Sequence, residues 1–234
     1  MAENEPMTQP VEERPAYPLL DKFSLYGWKP NQSLTDDENY MDIVLLVTRS
    51  SVCTAHGHVG CLLVDPTLVP ARSNETQADL ERRICNSVIG AATNASLFNE
   101  ADSDIHAEIA CLGQACKNRN STENATAYIT IHPCKRCFAA LVAFGVKRIV
   151  SRQLPPRNIC QVAEREGMAV AELTREMNRL QMKRINEIFN VERTDEELME
   201  DIQRRRRWRA ERKKGGRKET DEIIQDSVNE NAKV

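Results

Sequence analysis

The sequence contains no run approaching the ~20 consecutive apolar residues that a bilayer-spanning helix needs, and no internal repeat. A chain organised around membrane helices or around stacked repeats is therefore excluded, and no membrane partner is expected. Its first thirty residues also lack the basic stretch and apolar core of a secretory leader, being acidic and proline-rich instead. The expected compartment is the cytoplasm, with the nucleus as second candidate. Eight cysteines are present, and without a leader they are expected as reduced thiols and not as a disulfide framework.

What is there suits a globular protein. Of 234 residues, 41% are hydrophobic and 29% charged, enough for one domain of ordinary size plus tails. The charge is unevenly spread. Residues 204–218 hold ten Lys/Arg and one Glu, a local balance of +9, while the chain totals −3, so everything else carries −12.

Residues 1–34 carry five of the ten prolines and no clear period, which predicts a mostly disordered arm. Leu19, Leu20, Phe23, Leu25, Tyr26 and Trp28 give part of it apolar side chains with which to dock. From Thr35, an N-cap followed by Asp36, Asp37 and Glu38, a helix is predicted through Val47. Strands are predicted at 59–64, 87–92, 127–131, 147–150 and 168–170, and helices at 105–117 (capped by Asp104), from Pro133 to Gly145, at 159–167 and at 173–190. Residues 66–82 read as a long polar loop. A strand–helix–strand link predicts that the third and fourth strands run parallel, and the element order implies a sheet covered by helices, an α/β class. The domain expected is 35–190, followed by a charged helical extension over 191–218 and a flexible tail over 219–234.

Chemistry concentrates in two short motifs. His106-Ala107-Glu108 opens one predicted helix, and Pro133-Cys134-Lys135-Arg136-Cys137 opens another. One His and two Cys supply three soft donors for a tetrahedral zinc, leaving the fourth position for water, as in a catalytic site. Cys134 and Cys137 share one face at a helix start, where the dipole favours thiolates. Zinc lowers the pKa of its water from ~16 to about 7, and Glu108 can take that proton without binding the metal. An H-x-E followed by P-C-x-x-C is the spacing of a hydrolytic nucleobase deaminase. Cys111 or Cys116 would convert the set into a closed structural site, but both lie further along the first helix, where reaching the same ion is awkward.

Beyond these motifs, the segment from about Tyr40 to Val170 resembles the zinc-dependent cytidine/deoxycytidylate deaminase superfamily, its CMP/dCMP-type branch most of all. The resemblance runs through Val59-Gly-Cys-Leu-Leu-Val64, Thr93-Asn94, His106-Ala-Glu108, Tyr128-Ile-Thr130, Pro133-Cys134-Lys-Arg-Cys137 and Gly145-Val-Lys-Arg-Ile-Val150. It implies a five-stranded mixed sheet flanked by helices. It also implies His106, Cys134 and Cys137 as zinc ligands, Glu108 as proton shuttle, Asn94 as a substrate contact and assembly as a homo-oligomer. His132 stands before Pro133 where related enzymes often carry Ser or Glu, and the 66–82 loop is long for the family. Both lie where substrate choice is set, so His132 joins Asn94 as a candidate substrate contact.

Two substrates compete. A free nucleotide, dCMP converted to dUMP and ammonia, needs cations for its phosphate, and Arg49, His56, His58 and Arg152 are candidates. A polynucleotide (tRNA adenosine, or cytidine in RNA or DNA) would use Arg204, Arg205, Arg206, Arg207 and Trp208, a basic segment with one aromatic for stacking. Neutralising six phosphates would give a log–log salt slope of about −5. The same run also reads as a nuclear-import signal or a solvated helix offset by the acidic body. Cys53, His56 and His58, spaced Cys-x-x-His-x-His, are candidates for a second metal or for the substrate mouth.

Overall fold

The computed structural model describes residues 19–23, 25–50, 59–98 and 103–189. Five strands form one sheet: β1 Gly60–Val64, β2 Val88–Thr93, β3 Thr126–Ile129, β4 Arg148–Ser151 and β5 Ala169–Glu172, in the order β2-β1-β3-β4-β5. β1 runs antiparallel to both β2 and β3, whereas β3, β4 and β5 are parallel. This is the mixed sheet the resemblance implies. Its parallel half exists because α4 (Lys135–Ala143) and α5 (Arg157–Arg165) carry the chain back between successive strands.

The remaining helices are α1 Asp36–Val47, α2 Gln77–Asn86, α3 Ala107–Lys117 and α6 Arg175–Ile188. β1 shows how the layers form. Leu62 and Val64 pack in one cluster with Ile43, Val44 and Val47 of α1 and Ile84 of α2. Cys61 and Leu63 point the other way, into a cluster with Cys111 and Leu112 of α3, Leu141 of α4 and Ile159 of α5. A central strand covered on both faces reads as an unbroken apolar run, not as an alternation. Each such fully buried leucine contributes about 1.5–3 kcal/mol through burial.

Polar contacts fix α1 over the sheet and against α6. The Asp37 carboxylate accepts from Tyr128 Oη of β3 at 2.8 Å and from both terminal nitrogens of Arg148 of β4 at 2.7 and 2.6 Å. Asp42, 1% exposed, accepts from Gln181 and Arg184 of α6. Thr35 and Glu38 form the reciprocal cap that starts α1. Leu20 and Phe23, from the segment expected as a loose arm, are buried in the α1-side cluster.

The structure corrects two expectations. Residues 66–82 are not loop throughout: Thr76 and Asp79 make a capping box and α2 starts at Gln77. Leu80, Ile84 and Cys85 are its buried apolar residues, too sparse a period to stand out among polar neighbours. Asp104 does not cap α3. Its Oδ2 accepts instead from the backbone N–H groups of Leu97 and Phe98, at 2.8 and 2.9 Å, and α3 begins later, at Ala107.

At two glycines the backbone requires the absent side chain. Gly145 ends α4 with φ 76°, in the left-handed region. A Cβ on Gly90 would lie 2.8 Å from the Cys111 carbonyl oxygen, so β2 and α3 approach closely there. Among the described residues, no helix is long and apolar enough to cross a membrane. The first eighteen residues, the Cys53/His56/His58 cluster and the basic segment Arg204–Trp208 lie outside the described residues.

Candidate active site

Two helices begin beside one another, and each begins on a potential metal ligand. His106 is the N-cap residue of α3, in extended backbone with φ −69° and ψ 151°, and its side chain makes no capping bond. The ring turns to the other helix instead. His106 Nδ1 lies 3.4 Å from Cys137 Sγ and 3.7 Å from Cys134 Sγ. Cys134 is the N-cap residue of α4, and its sulfur accepts the Cys137 N–H at 3.5 Å.

These separations fit a metal. With Zn–S near 2.3 Å and Zn–N near 2.0–2.1 Å, the edges of a tetrahedron are roughly 3.5–3.8 Å. All three donor atoms lie within 4.8 Å of one another. His106 and Cys134 are exposed and Cys137 is buried, so the cluster is open on one side. Burial, and next the charge of Glu108, push the Cys137 thiol well above its ordinary value, a tendency that a bound cation reverses. Among the described residues, neither Cys111 nor Cys116 joins the cluster. The Cys111 thiol donates to the Cys61 carbonyl at 3.6 Å, and Cys116 is exposed. Three donors with an open side can hold a metal and leave a position for a reactant.

Glu108 sits in the first turn of α3, two residues after His106, and is 3% exposed. Its Oε2 has no hydrogen-bond partner among the described residues. Desolvation raises its carboxyl above the ordinary value. A buried, partnerless carboxylate oxygen beside a metal-competent cluster is the arrangement general acid–base chemistry uses.

The other sequence candidates fall as follows. Asn94 lies just past β2, 8% exposed, and its Oδ1 accepts the Ala107 N–H at 2.9 Å. His132 is half-buried on the β3–α4 connection, two residues before Cys134, with Nδ1 3.3 Å from the Pro133 carbonyl. Arg152 follows β4. Burial, and after it the charge of Arg49, lower its pKa. Arg152 Nε donates to Asn178 Oδ1 at 2.8 Å. Sequence reasoning missed Asp104 as the brace of the loop that leads into His106. An Asp seven residues from the amide it binds carries no local signature.

A family model described as the cytidine and deoxycytidylate deaminase zinc-binding region matches residues 34–153, just over half of the chain. Deoxycytidylate deaminase of Enterobacteria phage T4 is 31% identical over 88 residues, covering 36% of this chain and 46% of that enzyme. The tRNA-specific adenosine deaminase of Bacillus subtilis (strain 168) is 25% identical over 129 residues, 54% of this chain and 68% of its own length. This chain thus spans less than half the length of the phage relatives it matches, 46% for T4 and 25% for the corresponding enzyme of phage T2. Among solved structures, the apo dCMP deaminase of cyanophage S-TIM5 is similar at 18% identity with a TM-score of 0.41, covering 58% of this chain and 96% of that one.

Proposed function

Because the chain belongs to the cytidine and deoxycytidylate deaminase zinc-binding family, we propose that it is a zinc-dependent hydrolytic deaminase of a cytosine nucleotide. The reaction is dCMP plus water giving dUMP plus ammonia. The observation that carries this reading is Glu108, buried with a partnerless Oε2, two residues from a ligand of the His106–Cys134–Cys137 cluster. His106, Cys134 and Cys137 would hold the zinc, which when bound makes water acidic near neutral pH.

The chain's own residues do the rest. Glu108 Oε2 accepts the proton of the attacking water. It delivers that proton to the ring nitrogen, then takes the second proton from the hydroxyl now on the ring carbon and passes it to the departing amine, so that the C–N bond breaks, a C=O forms and ammonia leaves. Its raised carboxyl pKa suits a group that must both take and give a proton. Asn94 and His132 are the proposed contacts to the substrate. Arg49 and Arg152 are the proposed cations for the substrate phosphate among the described residues. A homo-oligomer is proposed as the working form.

A second reading has its own support. The +9 segment over 204–218, with Trp208 inside it, has the charge of a polyanion-binding surface, and one of the relatives is named a tRNA-specific adenosine deaminase. The deciding experiment measures ammonia release from dCMP, cytidine and a tRNA anticodon arm, with the full chain and with a chain cut after Asn190. Turnover of dCMP unaffected by the cut supports the nucleotide enzyme. Turnover of RNA alone, lost on the cut, replaces it with the second reading. No ammonia from any substrate by a zinc-containing protein overturns both.

A further inference from the structure

His106 is an unusual helix start. Its side chain leaves its own helix uncapped because the ring points at Cys134 and Cys137. The Ala107 N–H that follows is buried, on a residue 0% exposed, and needs an acceptor from elsewhere. Asn94 provides it across thirteen residues, through Oδ1 at 2.9 Å. The next residue of that segment, Ala95, exchanges two backbone hydrogen bonds with Ile105, each 2.9 Å. His106 is therefore pinned on both sides, by the Ala95–Ile105 bridge before it and by the Asn94 cap after it.

We infer that Asn94 is a positioning residue for the metal ligand His106, so that its side-chain oxygen sets metal affinity in addition to any contact with substrate. This role rests on the zinc reading above. Groups that orient a ligand without touching the metal commonly change affinity 10–100-fold when removed, roughly the range expected here. The Asn94 oxygen acts one step further out, through the backbone that carries the imidazole. An aspartate at this position keeps an acceptor at a helix start, where negative charge is favourable.

The test compares wild type, Asn94→Ala and Asn94→Asp, each loaded with zinc, by competition against a chromogenic chelator. Metal-free thermal melts serve as the control for general structure. Asn94→Ala is expected to hold zinc about 10–100-fold more weakly, with Asn94→Asp close to wild type. If Asn94→Ala does not fold, Asn94→Gln replaces it. That variant keeps the amide but displaces the oxygen, and it too is expected to weaken zinc binding. Wild-type zinc affinity in whichever of the two folds overturns the role and leaves the function standing. A wild-type chain that binds no zinc overturns the function and the role together.

Discussion

His106 Nδ1 and Cys137 Sγ lie 3.4 Å apart although 31 residues separate them in the chain. Neither residue reaches the other by local geometry. β3 and the turn after it bring the start of α4 against the start of α3, and the sheet register sets where each helix begins.

The first prediction concerns the metal. Purified protein should contain about one zinc per chain, the stoichiometry of a three-ligand site. His106→Ala and Cys137→Ser should each lower this to a small fraction while the fold, read by circular dichroism, persists. Full zinc content in Cys137→Ser by elemental analysis would place the metal elsewhere.

Glu108 separates metal binding from catalysis. Glu108→Ala should keep its zinc and lose about 10²–10⁴ in kcat, the range for removal of a general acid–base group. Loss of metal together with activity would show that Glu108 is a ligand and not a proton carrier.

Asp37 gives an acid-stability prediction. Burial raises its carboxyl, but hydrogen bonds from Arg148 and Tyr128 and the Arg148 charge outweigh that, so its folded pKa is lowered. A lowered folded pKa means the contribution is fully present above the unfolded value, about 4, and is lost as pH falls through that value toward the folded one. Asp37→Asn should therefore cost about 1–2 kcal/mol at pH 7, between the values for exposed and buried pairs. The difference in Tm from wild type should narrow below about pH 4. A gap that stays constant from pH 7 to pH 3 would contradict the pairing.

Close approach of β2 and α3 is tested by Gly90→Ala. The new Cβ would meet the Cys111 carbonyl oxygen at 2.8 Å, a backbone atom that cannot swing aside. Overpacking of this kind costs about 1–3 kcal/mol, measurable as a lower urea midpoint. An unchanged midpoint would mean that the helix shifts freely on the strand.

The C-terminal basic segment is tested by salt. If it binds RNA through about six phosphates, affinity should fall with a log–log slope near −5, and cutting after Asn190 should remove most of that dependence. A slope near zero in the full chain would assign the basic run to another role.

Much of this protein is determined by sequence alone, because its signals are local. Thr35 with Glu38 starts α1 through bonds within one helical turn. Gly145 stops α4 because its φ of 76° strains any residue with a side chain. The His-x-Glu and Pro-Cys-x-x-Cys spacings state their own chemistry. Tertiary structure decided the rest. α2 is not legible in the hydrophobic pattern, because its buried apolar residues are only Leu80, Ile84 and Cys85 and a helix so polar is recognised by what it packs against. α3 begins two residues beyond the start that its sequence predicts, because the Ala107 N–H is capped by Asn94, at the end of another element. Asp37 with Arg148, 111 residues apart, carries no sequence signal at all. Local hydrogen bonds and backbone strain leave their mark in consecutive residues. Contacts between a strand end and a distant helix start depend on the sheet's register, which exists only once the chain has folded.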